Sequence, residues 1–266
     1  MAYRHQRVQR LRRLLQRPAT RQAEGAFVIE GAKLLAEALD AGVRVESVYL
    51  EPVAEPGSSG LAALADRALA DGARVFTLAG DVMARVADTT TPQPVMAVVE
   101  TVTAGLEELK GAKLVLVLAD VRDPGNAGTV VRCAEAAGAE GVVFCRGSVD
   151  VYNPKTVRAS AGSLFHVRVV VGGGPLDVLD RMGGWGMQRL AAVARTGRAH
   201  TEADLTRPTA FLLGNEAGGL DPASVAACDD TISIPMVGRA ESLNVGMAAA
   251  VLCFEATRQR AQVPHG

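Results

Sequence analysis

The chain has 266 residues, enough for one large domain or two small ones. Its 48% hydrophobic and 21% charged residues exclude an intrinsically disordered protein, and its 4% aromatic residues argue against base stacking on exposed aromatic platforms. The net charge of −1 is unevenly distributed, because residues 1–22 hold seven arginines and no acid while the rest of the chain is acidic.

The arginine-rich N-terminal segment has two interpretations that the sequence leaves open. Its arginines are Arg4, Arg7, Arg10, Arg12, Arg13, Arg17 and Arg21. A basic arm on an acidic body is typical of a protein that binds a polyanion. The alternative is a solvated amphipathic helix whose apolar residues Val8, Leu11, Leu14 and Leu15 face the body of the protein.

The cysteines and the apolar runs indicate a cytoplasmic protein. Cys133, Cys145, Cys228 and Cys253 show no C-x-x-C spacing, so we expect reduced, mostly buried thiols and no zinc site. No H-E-x-x-H motif points to a metal hydrolase, and we predict no metal. We also expect no signal peptide and no membrane association, because no apolar run approaches membrane-spanning length.

The first half of the chain alternates predicted strands and helices, which indicates an α/β layer structure. The predicted strands are Phe27–Ile29, Ser47–Leu50, Arg74–Leu78 and Val95–Glu100, and the predicted helices are Ala32–Ala41, Leu61–Asp71 and Asp81–Thr89. Residues 101–110 are polar and lack strand character, so we interpret them as a linker. The predicted domains are therefore residues 1–104 and 105–266.

The second half is predicted to form a doubly wound, mostly parallel sheet with helices on both faces. Leu114–Ala119 is a continuous apolar run, which is typical of a central parallel strand. The further strands are Gly141–Cys145, His166–Val171, Arg189–Ala194, Thr209–Leu213 and Thr231–Ile234. The helices are Gly128–Ala137, Pro154–Ser163, Leu176–Met182, Pro222–Ala227 and Asn244–Gln259.

A first motif, DVRDPGNAGTVVRCAEAAGA, follows the first strand of this sheet. We interpret Asp123–Asn126 as a turn and start the helix at Gly128. Arg132 would then lie about one turn into the helix, where the helix dipole favours an anion such as phosphate. From spacing alone, a turn residue is the better explanation of Asn126, and the alternative for Arg132 is a surface arginine paired with Glu135.

Two further motifs follow strand ends, where open α/β sheets bind ligands. In LGNEAGGL, the glycines allow close backbone approach to a ligand, and Glu216 is an acceptor among backbone donors. The sequence ESLN opens the last helix, and Ser242 is the N-cap candidate there. Each motif is also explained as ordinary loop chemistry. No G-x-G-x-x-G follows a strand, which disfavours a nucleotide-binding oxidoreductase.

The three motifs in this order and spacing resemble the SpoU (TrmH-like) family of RNA ribose 2′-O-methyltransferases of the SPOUT class. The resemblance covers residue 114 to about residue 258. Weaker similarity, carried by FVIEG and VYL, relates residues 1–104 to the family's RNA-binding accessory domain. The chain departs from the family at Ala127 and at Gly246, where a glycine is expected to loosen the first turn of the last helix.

This resemblance implies a SPOUT-type fold with a C-terminal trefoil knot, and S-adenosyl-L-methionine as the cofactor. The cofactor would be held by Leu213, Gly214, Ile234, Met236 and Leu243, the last closing on the adenine. It also implies a homodimer in which Arg132 reaches the RNA site beside the partner's cofactor. The residues Asn126, Glu216, Ser242 and Asn244 would hold the ribose, the arginine and one another.

The implied activity is methylation of a ribose 2′-hydroxyl in RNA, with ribosomal RNA favoured over transfer RNA because an accessory domain is present. We expect Arg132 to remain charged, grip the RNA phosphate and stabilise the developing alkoxide, because guanidinium hardly loses its proton in proteins. Two alternatives remain: a transfer RNA 2′-O-methyltransferase, and a non-catalytic RNA-binding protein, such as a ribosome assembly factor, that keeps the knotted fold.

Overall fold

The computed structural model describes residues 1–2, 5–52, 59–79, 81–87 and 90–263. They form two compact units. The N-terminal unit consists of Met1–Val102 and Tyr152–Phe165, and the C-terminal unit consists of Thr103–Val151 and His166–Gly266. Both units combine helices with strands, so the predicted α/β class is confirmed. The division at residues 104 and 105 differs from these units in the segment 152–165, and as a domain boundary it remains a prediction.

The N-terminal unit is a four-stranded sheet with helices. Its strands in chain order are β1 (Ala26–Glu30), β2 (Val45–Leu50), β3 (Arg74–Thr77) and β4 (Val95–Glu100), and its first helices are α1 (Gln6–Gln16), α2 (Pro18–Glu24), α3 (Ala32–Asp40), α4 (Ser59–Ala70) and α5 (Val82–Val86). The strand order is β1-β4-β2-β3, with β4 antiparallel to both neighbours and β3 parallel to β2. The predicted helix 81–89 extends beyond α5, and its residues 88–89 lie outside the described residues.

Helix α1 is a structural part of the N-terminal unit. Its apolar residues Val8, Leu11, Leu14 and Leu15 are buried in the core, which confirms the amphipathic-helix interpretation. The buried Arg21 donates hydrogen bonds from Nη1 to the carbonyl oxygens of Leu14 and Leu15 at 2.6 and 3.1 Å, which satisfies carbonyls at the end of α1.

The arginines of this segment do not share one role. Arg10 forms ion pairs with Glu24 and Glu46, and its hydrogen bond lowers the pKa of Glu46. The guanidinium carbon of Arg7 lies 4.7 Å from the ring centroid of Phe76, a cation–π contact. Arg4 lies outside the described residues.

The C-terminal unit is an eight-stranded sheet in which every strand pair is parallel. Its strands are β5 (Thr103–Ala104), β6 (Leu114–Leu118), β7 (Gly141–Phe144), β8 (Arg168–Val171), β9 (Gln188–Ala192), β10 (Arg198–Ala199), β11 (Thr209–Leu213) and β12 (Asp230–Ser233), in the order β10-β12-β9-β11-β6-β7-β8-β5. The order reverses between β6 and β11, so the carboxyl ends of these two strands form the topological switch point.

The linker interpretation of residues 101–110 is wrong in part. Residues 103–104 form the edge strand β5 on β8, and a 3₁₀ helix, Leu106–Leu109, follows. Leu109 is fully buried in the core of the C-terminal unit. The segment was interpreted as a linker because its composition is mostly polar, and composition does not show that Leu109 is buried.

The helices of the C-terminal unit are α6 (Pro124–Ala136), α8 (Pro175–Gly184), α9 (Pro222–Ala226) and α10 (Val245–Ala261), and α7 (Pro154–Ser160) precedes α8 in the chain but lies in the N-terminal unit. In that unit the ring of Phe27 packs on Tyr152 with 4.6 Å between centroids, and on Phe165 with 6.3 Å. Nη1 of Arg158 lies 3.8 Å from Oε2 of Glu30. The segment 152–165 therefore completes the N-terminal core.

Helix α6 begins four residues before the predicted start. Asp123 is its N-cap and accepts a hydrogen bond from the backbone N–H of Asn126 at 2.8 Å, while Pro124 occupies the first helical position. The interpretation of residues 123–126 as a separate turn is therefore wrong. Arg132 lies just over two turns into the helix, not one, beyond the reach of the dipole at the N-terminus.

Alternate residues of the central strands pack on opposite faces of the sheet. Val115 and Val117 share one core with Leu179 and Met182 of α8. Leu116, which points to the other face by strand alternation, is also fully buried. Helix α6 contacts β7, and α10 packs along α6. The sheet therefore carries helices on both faces, as predicted.

The packing of α10 on α6 depends on a glycine. A Cβ atom on Gly246 would lie 2.8 Å from Cγ2 and 3.0 Å from Cβ of Thr129. The Thr129 hydroxyl donates to the carbonyl oxygen of Gly125 at 2.9 Å, so its side chain is held in place. The first turns of the two helices approach each other closely because position 246 has no side chain.

We expect Gly246→Ala to lower the free energy of unfolding by about 1–3 kcal/mol, the usual cost of overpacking a core. Urea denaturation measures this. Thr129→Ser is the matched background, because it removes the methyl group but keeps the hydroxyl. Gly246→Ala should cost less in that background, and an equal cost in both would show that the contact with Thr129 is not the cause.

Candidate active site

The carboxyl ends of strands β9, β11 and β12 surround a cavity of about 490 Å³. Its walls come from residues 192–195, 213–219 and 241–245, from Ile232, Ile234 and Met236, and from Asn126 at the start of α6. Cavities of this size are typical of small-molecule sites. The cavity lies at the edge of the sheet where a parallel α/β fold binds ligands.

All five residues predicted to bind a cofactor line this cavity. They are Leu213, Gly214, Ile234, Met236 and Leu243. Ala248 and Leu252 of α10 extend the apolar wall. A mostly apolar lining with a few polar groups suits a ligand that carries a flat, uncharged portion.

Gly214 allows the glycine-rich loop to fold back on itself. A Cβ atom on Gly214 would lie 2.6 Å from the carbonyl carbon of Gly219. Asn215 and Gly219 exchange two backbone hydrogen bonds at 3.1 and 2.9 Å, and Nδ2 of Asn215 donates to the carbonyl oxygen of Asp120 at 2.8 Å. The loop after β11 is thus fastened to the loop after β6, because Asn215 bridges them.

A chain of hydrogen bonds joins three of the predicted catalytic residues. Nδ2 of Asn244 donates to Oδ1 of Asn126 at 2.7 Å, and Nδ2 of Asn126 donates to Oε1 of Glu216 at 3.0 Å. Glu216 also accepts from the backbone N–H groups of Arg122 and Asp123, each at 3.3 Å. The residues Asn126, Glu216 and Asn244, which are far apart in sequence, therefore meet at one end of the cavity.

The N-cap of α10 is Asn244, so the N-cap prediction for Ser242 is wrong. Oδ1 of Asn244 accepts from the backbone N–H groups of Gly246 and Met247 at 2.9 and 3.4 Å. Ser242 is exposed and lines the cavity. Its hydroxyl forms no hydrogen bond within the described part of the chain.

Arg132 is not among the residues that line the cavity. It is exposed on α6, one position before Cys133, whose thiol packs toward the carbonyl oxygen of Gly246 with 3.8 Å between sulfur and oxygen. The guanidinium of Arg132 is therefore at the surface and does not line this cavity.

Within the described ranges, no group of three or more His, Cys, Asp and Glu side chains could hold a metal ion, and no helix is long and apolar enough to cross a membrane. The four cysteines are free. Burial raises the pKa of Cys145 and of Cys253 to about 12 and that of Cys228 to about 11, so these thiols are not nucleophiles at neutral pH.

Comparison with protein families assigns both parts of the chain. A model described as the SpoU rRNA Methylase family matches residues 113–254, more than half of the chain. The chain belongs to the SpoU rRNA Methylase family. The resemblance predicted from the three motifs, and with it the enzyme class, is confirmed. An MRM3-like substrate binding domain model matches residues 5–97.

Relatives of this SpoU methylase extend over nearly the whole chain. The 23S rRNA (guanosine(2553)-2′-O)-methyltransferase RlmP of Bacillus subtilis (strain 168) is 33% identical and covers 88% of this chain and 89% of its own. An rRNA methyltransferase from Sinorhizobium meliloti has a TM-score of 0.86 at 28% identity, covering 97% of this chain and 96% of its own.

A third relative has been solved with a ligand. The SpoU methyltransferase AviRb from Streptomyces viridochromogenes, in complex with the cofactor AdoMet, has a TM-score of 0.82 at 29% identity. That match covers 97% of this chain and 99% of AviRb.

Sequence reasoning missed several residues at this site of the SpoU methylase. Asp120, at the end of β6, has a left-handed backbone with φ of 60° and accepts from Nε of Arg122 at 2.9 Å, which raises the pKa of Arg122. Arg195 and Glu241 both line the cavity and pair with each other. This pairing has no local sequence signal, because 46 positions separate the two residues.

Two substitutions at Asn244 separate its capping role from its link to Asn126. Asn244→Ala should lower the free energy of unfolding by about 1 kcal/mol through loss of the cap. Asn244→Asp keeps an acceptor at the helix N-terminus, where a carboxylate is favoured, and should preserve stability while removing the donor to Asn126. Chemical denaturation measures both, and equal losses would contradict the capping assignment.

Proposed function

We propose that this protein transfers the methyl group of S-adenosylmethionine to a ribose 2′-hydroxyl of ribosomal RNA. The observation that carries the proposal is the cavity at the carboxyl ends of β9, β11 and β12 in a SpoU methylase fold, with Asn126, Glu216 and Asn244 hydrogen-bonded at its end. AviRb, which matches nearly the whole chain, binds AdoMet, and RlmP acts on 23S rRNA. The matches to these two relatives extend over both units of this chain.

The cavity fits S-adenosylmethionine by size and chemistry. The apolar wall of Leu213, Ile234, Met236 and Leu243 suits the adenosine, and the missing side chain of Gly214 lets the loop fold back into the shape that bounds the cavity. When bound, the cofactor supplies an electrophilic methyl group on a positively charged sulfur. The apolar walls keep water from competing for that methyl group.

The polar residues orient the ribose. The 2′-hydroxyl is a weak nucleophile, so it must be held in line with the methyl group and lose its proton as the new C–O bond forms. Asn126 and Asn244 are fixed by their mutual hydrogen bond, and Glu216 by three donors. Ser242 lines the cavity, and its hydroxyl, which has no hydrogen-bond partner among the described residues, can meet the substrate. Arg132 remains charged, grips the RNA phosphate and stabilises the developing alkoxide.

The active enzyme is a homodimer in this proposal, with Arg132 acting beside the partner's cavity. Two observations support it. Arg132 is exposed and does not line the cavity of its own subunit. Met247 and Phe254 lie two turns apart on one face of α10 and are 62% and 50% exposed, so this face of the helix presents two large apolar side chains. The trefoil knot of the family is part of the same proposal.

Arg132→Ala should lower the rate of methyl transfer to rRNA by about 10²- to 10³-fold, the usual loss when one charge-stabilising donor is removed. Binding of S-adenosylmethionine should be unchanged, because Arg132 lies outside the cavity. Radiolabelled methyl transfer to unmodified 23S rRNA measures the rate. Arg168→Ala, which removes an exposed arginine of β8, is the control and should keep normal activity.

Mixed dimers test the position of Arg132. A dimer of an Arg132→Ala subunit and a Gly214→Ala subunit keeps one cavity with an intact loop and one Arg132 on the other subunit. Activity should return at one site of this mixed dimer, although each homodimer should have only a small fraction of the normal activity. Mixed dimers that form but stay inactive would show that Arg132 does not act across the interface.

Ribosomal RNA is favoured over transfer RNA because the N-terminal unit matches a substrate-binding domain and the full-length relative RlmP acts on 23S rRNA. Arg13 and Arg17 are exposed and form no ion pair within the described residues, so they are the N-terminal arginines best suited to phosphate contacts. Deleting residues 1–22 is not a clean test, because it would also remove four buried residues of α1 and Arg21.

The double variant Arg13→Gln/Arg17→Gln should weaken RNA binding and lower the slope of log affinity against log salt by about 1 for each arginine that binds a phosphate in the unmodified protein. S-adenosylmethionine binding should not change. Arg44→Gln is the control, since it removes an exposed arginine of the same unit that pairs with Glu100. An unchanged salt slope in the double variant would leave α1 with a structural role alone.

A non-catalytic RNA-binding protein and a transfer RNA methyltransferase are the other candidates. The same assay separates them: methyl transfer to 23S rRNA supports the proposal, transfer to tRNA alone supports the second candidate, and RNA binding without transfer supports the first. With rRNA as substrate, the enzyme acts in the cytoplasm.

A further inference from the structure

Among the described residues that line the cavity, three carry charge: Arg195, Glu216 and Glu241. Glu216 is held at one end of the cavity by Asn126 and by two backbone N–H groups. Arg195 and Glu241 lie on two different loops, after β9 and before α10. The cavity therefore has one cation and two carboxylates on its walls.

The ion pair of Arg195 and Glu241 is a weak one. Nη2 of Arg195 lies 3.4 Å from Oε1 of Glu241, and the two side chains are 58% and 85% exposed. A single long contact between exposed groups contributes little to stability. Either side chain can therefore exchange this partner for a charged group of a ligand at low cost.

The backbone of Arg195 is held in a strained turn. Its φ is 71°, which is rare for a residue with a long side chain. The N–H of Thr196 donates to the carbonyl oxygen of Ala194 at 3.0 Å, which closes a γ-turn centred on Arg195, a strained form when φ is positive. Strained residues of this kind persist where the surrounding structure fixes them, and they cluster at ligand sites.

Both sides of this turn are anchored to β12. The N–H of Val193 donates to the carbonyl oxygen of Ile232 at 2.9 Å, and the Ser233 hydroxyl donates to the carbonyl oxygen of Gly197 at 2.9 Å. A Cβ atom on Gly197 would lie 2.6 Å from the carbonyl carbon of Ile232. The turn that presents Arg195 to the cavity is therefore fixed before any ligand arrives.

The charges of S-adenosylmethionine are the inverse of those on the cavity walls. The ligand has one carboxylate and two cations, an ammonium and a sulfonium. We propose that Arg195 and Glu241 together recognise the amino-acid end of the cofactor, with Arg195 on the carboxylate and Glu241 on the ammonium. On binding, one weak ion pair is replaced by two charge-assisted contacts. This assignment rests on the proposed function.

Binding measurements with two ligands test the assignment. Isothermal titration calorimetry compares S-adenosylmethionine with decarboxylated S-adenosylmethionine, which lacks only the carboxylate. Arg195→Gln should weaken binding of the first by about 10- to 100-fold, the range for a hydrogen bond to a charged group. It should leave binding of the second unchanged. Arg195→Lys keeps the charge without the planar fork and should lose less.

The controls separate charge from contact. Arg239→Gln removes an exposed arginine from the same loop as Glu241, and it should change neither affinity. Glu241→Gln should weaken both ligands alike, because both keep the ammonium group. Thermal unfolding of each variant checks that the fold is retained.

Two outcomes would overturn the assignment for different reasons. If the unmodified protein binds S-adenosylmethionine and Arg195→Gln binds it equally well, the assignment is wrong while the proposed function stands; lost RNA affinity in that variant would then identify Arg195 as a phosphate contact. If the unmodified protein does not bind S-adenosylmethionine at all, the proposed function fails, and this assignment fails with it.

Discussion

Asn126 accepts a hydrogen bond from Asn244 and donates one to Glu216, and these two bonds hold three distant segments of the chain at one edge of the sheet. The backbone N–H of Asn126 is also held by Asp123 at the start of α6, and the side-chain oxygen of Asn244 caps α10. These bonds therefore hold together the loops that enclose one end of the cavity.

The same residues serve structure and chemistry at once. Asn244 caps α10 with its oxygen and reaches Asn126 with its nitrogen. Glu216 accepts from backbone groups at the start of α6 while facing the cavity. Such double use orients side chains without additional binding partners, and it makes the site rigid where a reacting hydroxyl must be aligned.

Much of the fold could be predicted from the sequence, and the reasons are physical. The strands Val95–Glu100 and Thr209–Leu213 have the predicted bounds, because continuous apolar runs identify buried strands. The two-residue strands β5 and β10 are too short to produce a pattern. The start of α6 was missed because Pro124 and Gly125 read as turn residues, although proline also suits the first position of a helix.

The site was predicted unevenly for a related reason. Nine of the residues implied by the family resemblance line the cavity, because the motifs that carry the resemblance lie in loops at strand ends. The pairing of Arg195 with Glu241 depends on how two loops meet in space, and no local spacing encodes it. The positive φ of Asp120 and Arg195 could not be predicted either, because neither residue type indicates a left-handed backbone as glycine does.

The location of residues 152–165 in the N-terminal unit has a consequence for synthesis of the protein. Domains usually fold in order as the ribosome makes them. Here the core around Phe27 stays incomplete until Tyr152 and Phe165 have emerged, by which time β6, α6 and β7 have already been made. The N-terminal unit therefore cannot finish folding until part of the C-terminal unit has been translated, and the two units must mature in overlapping time.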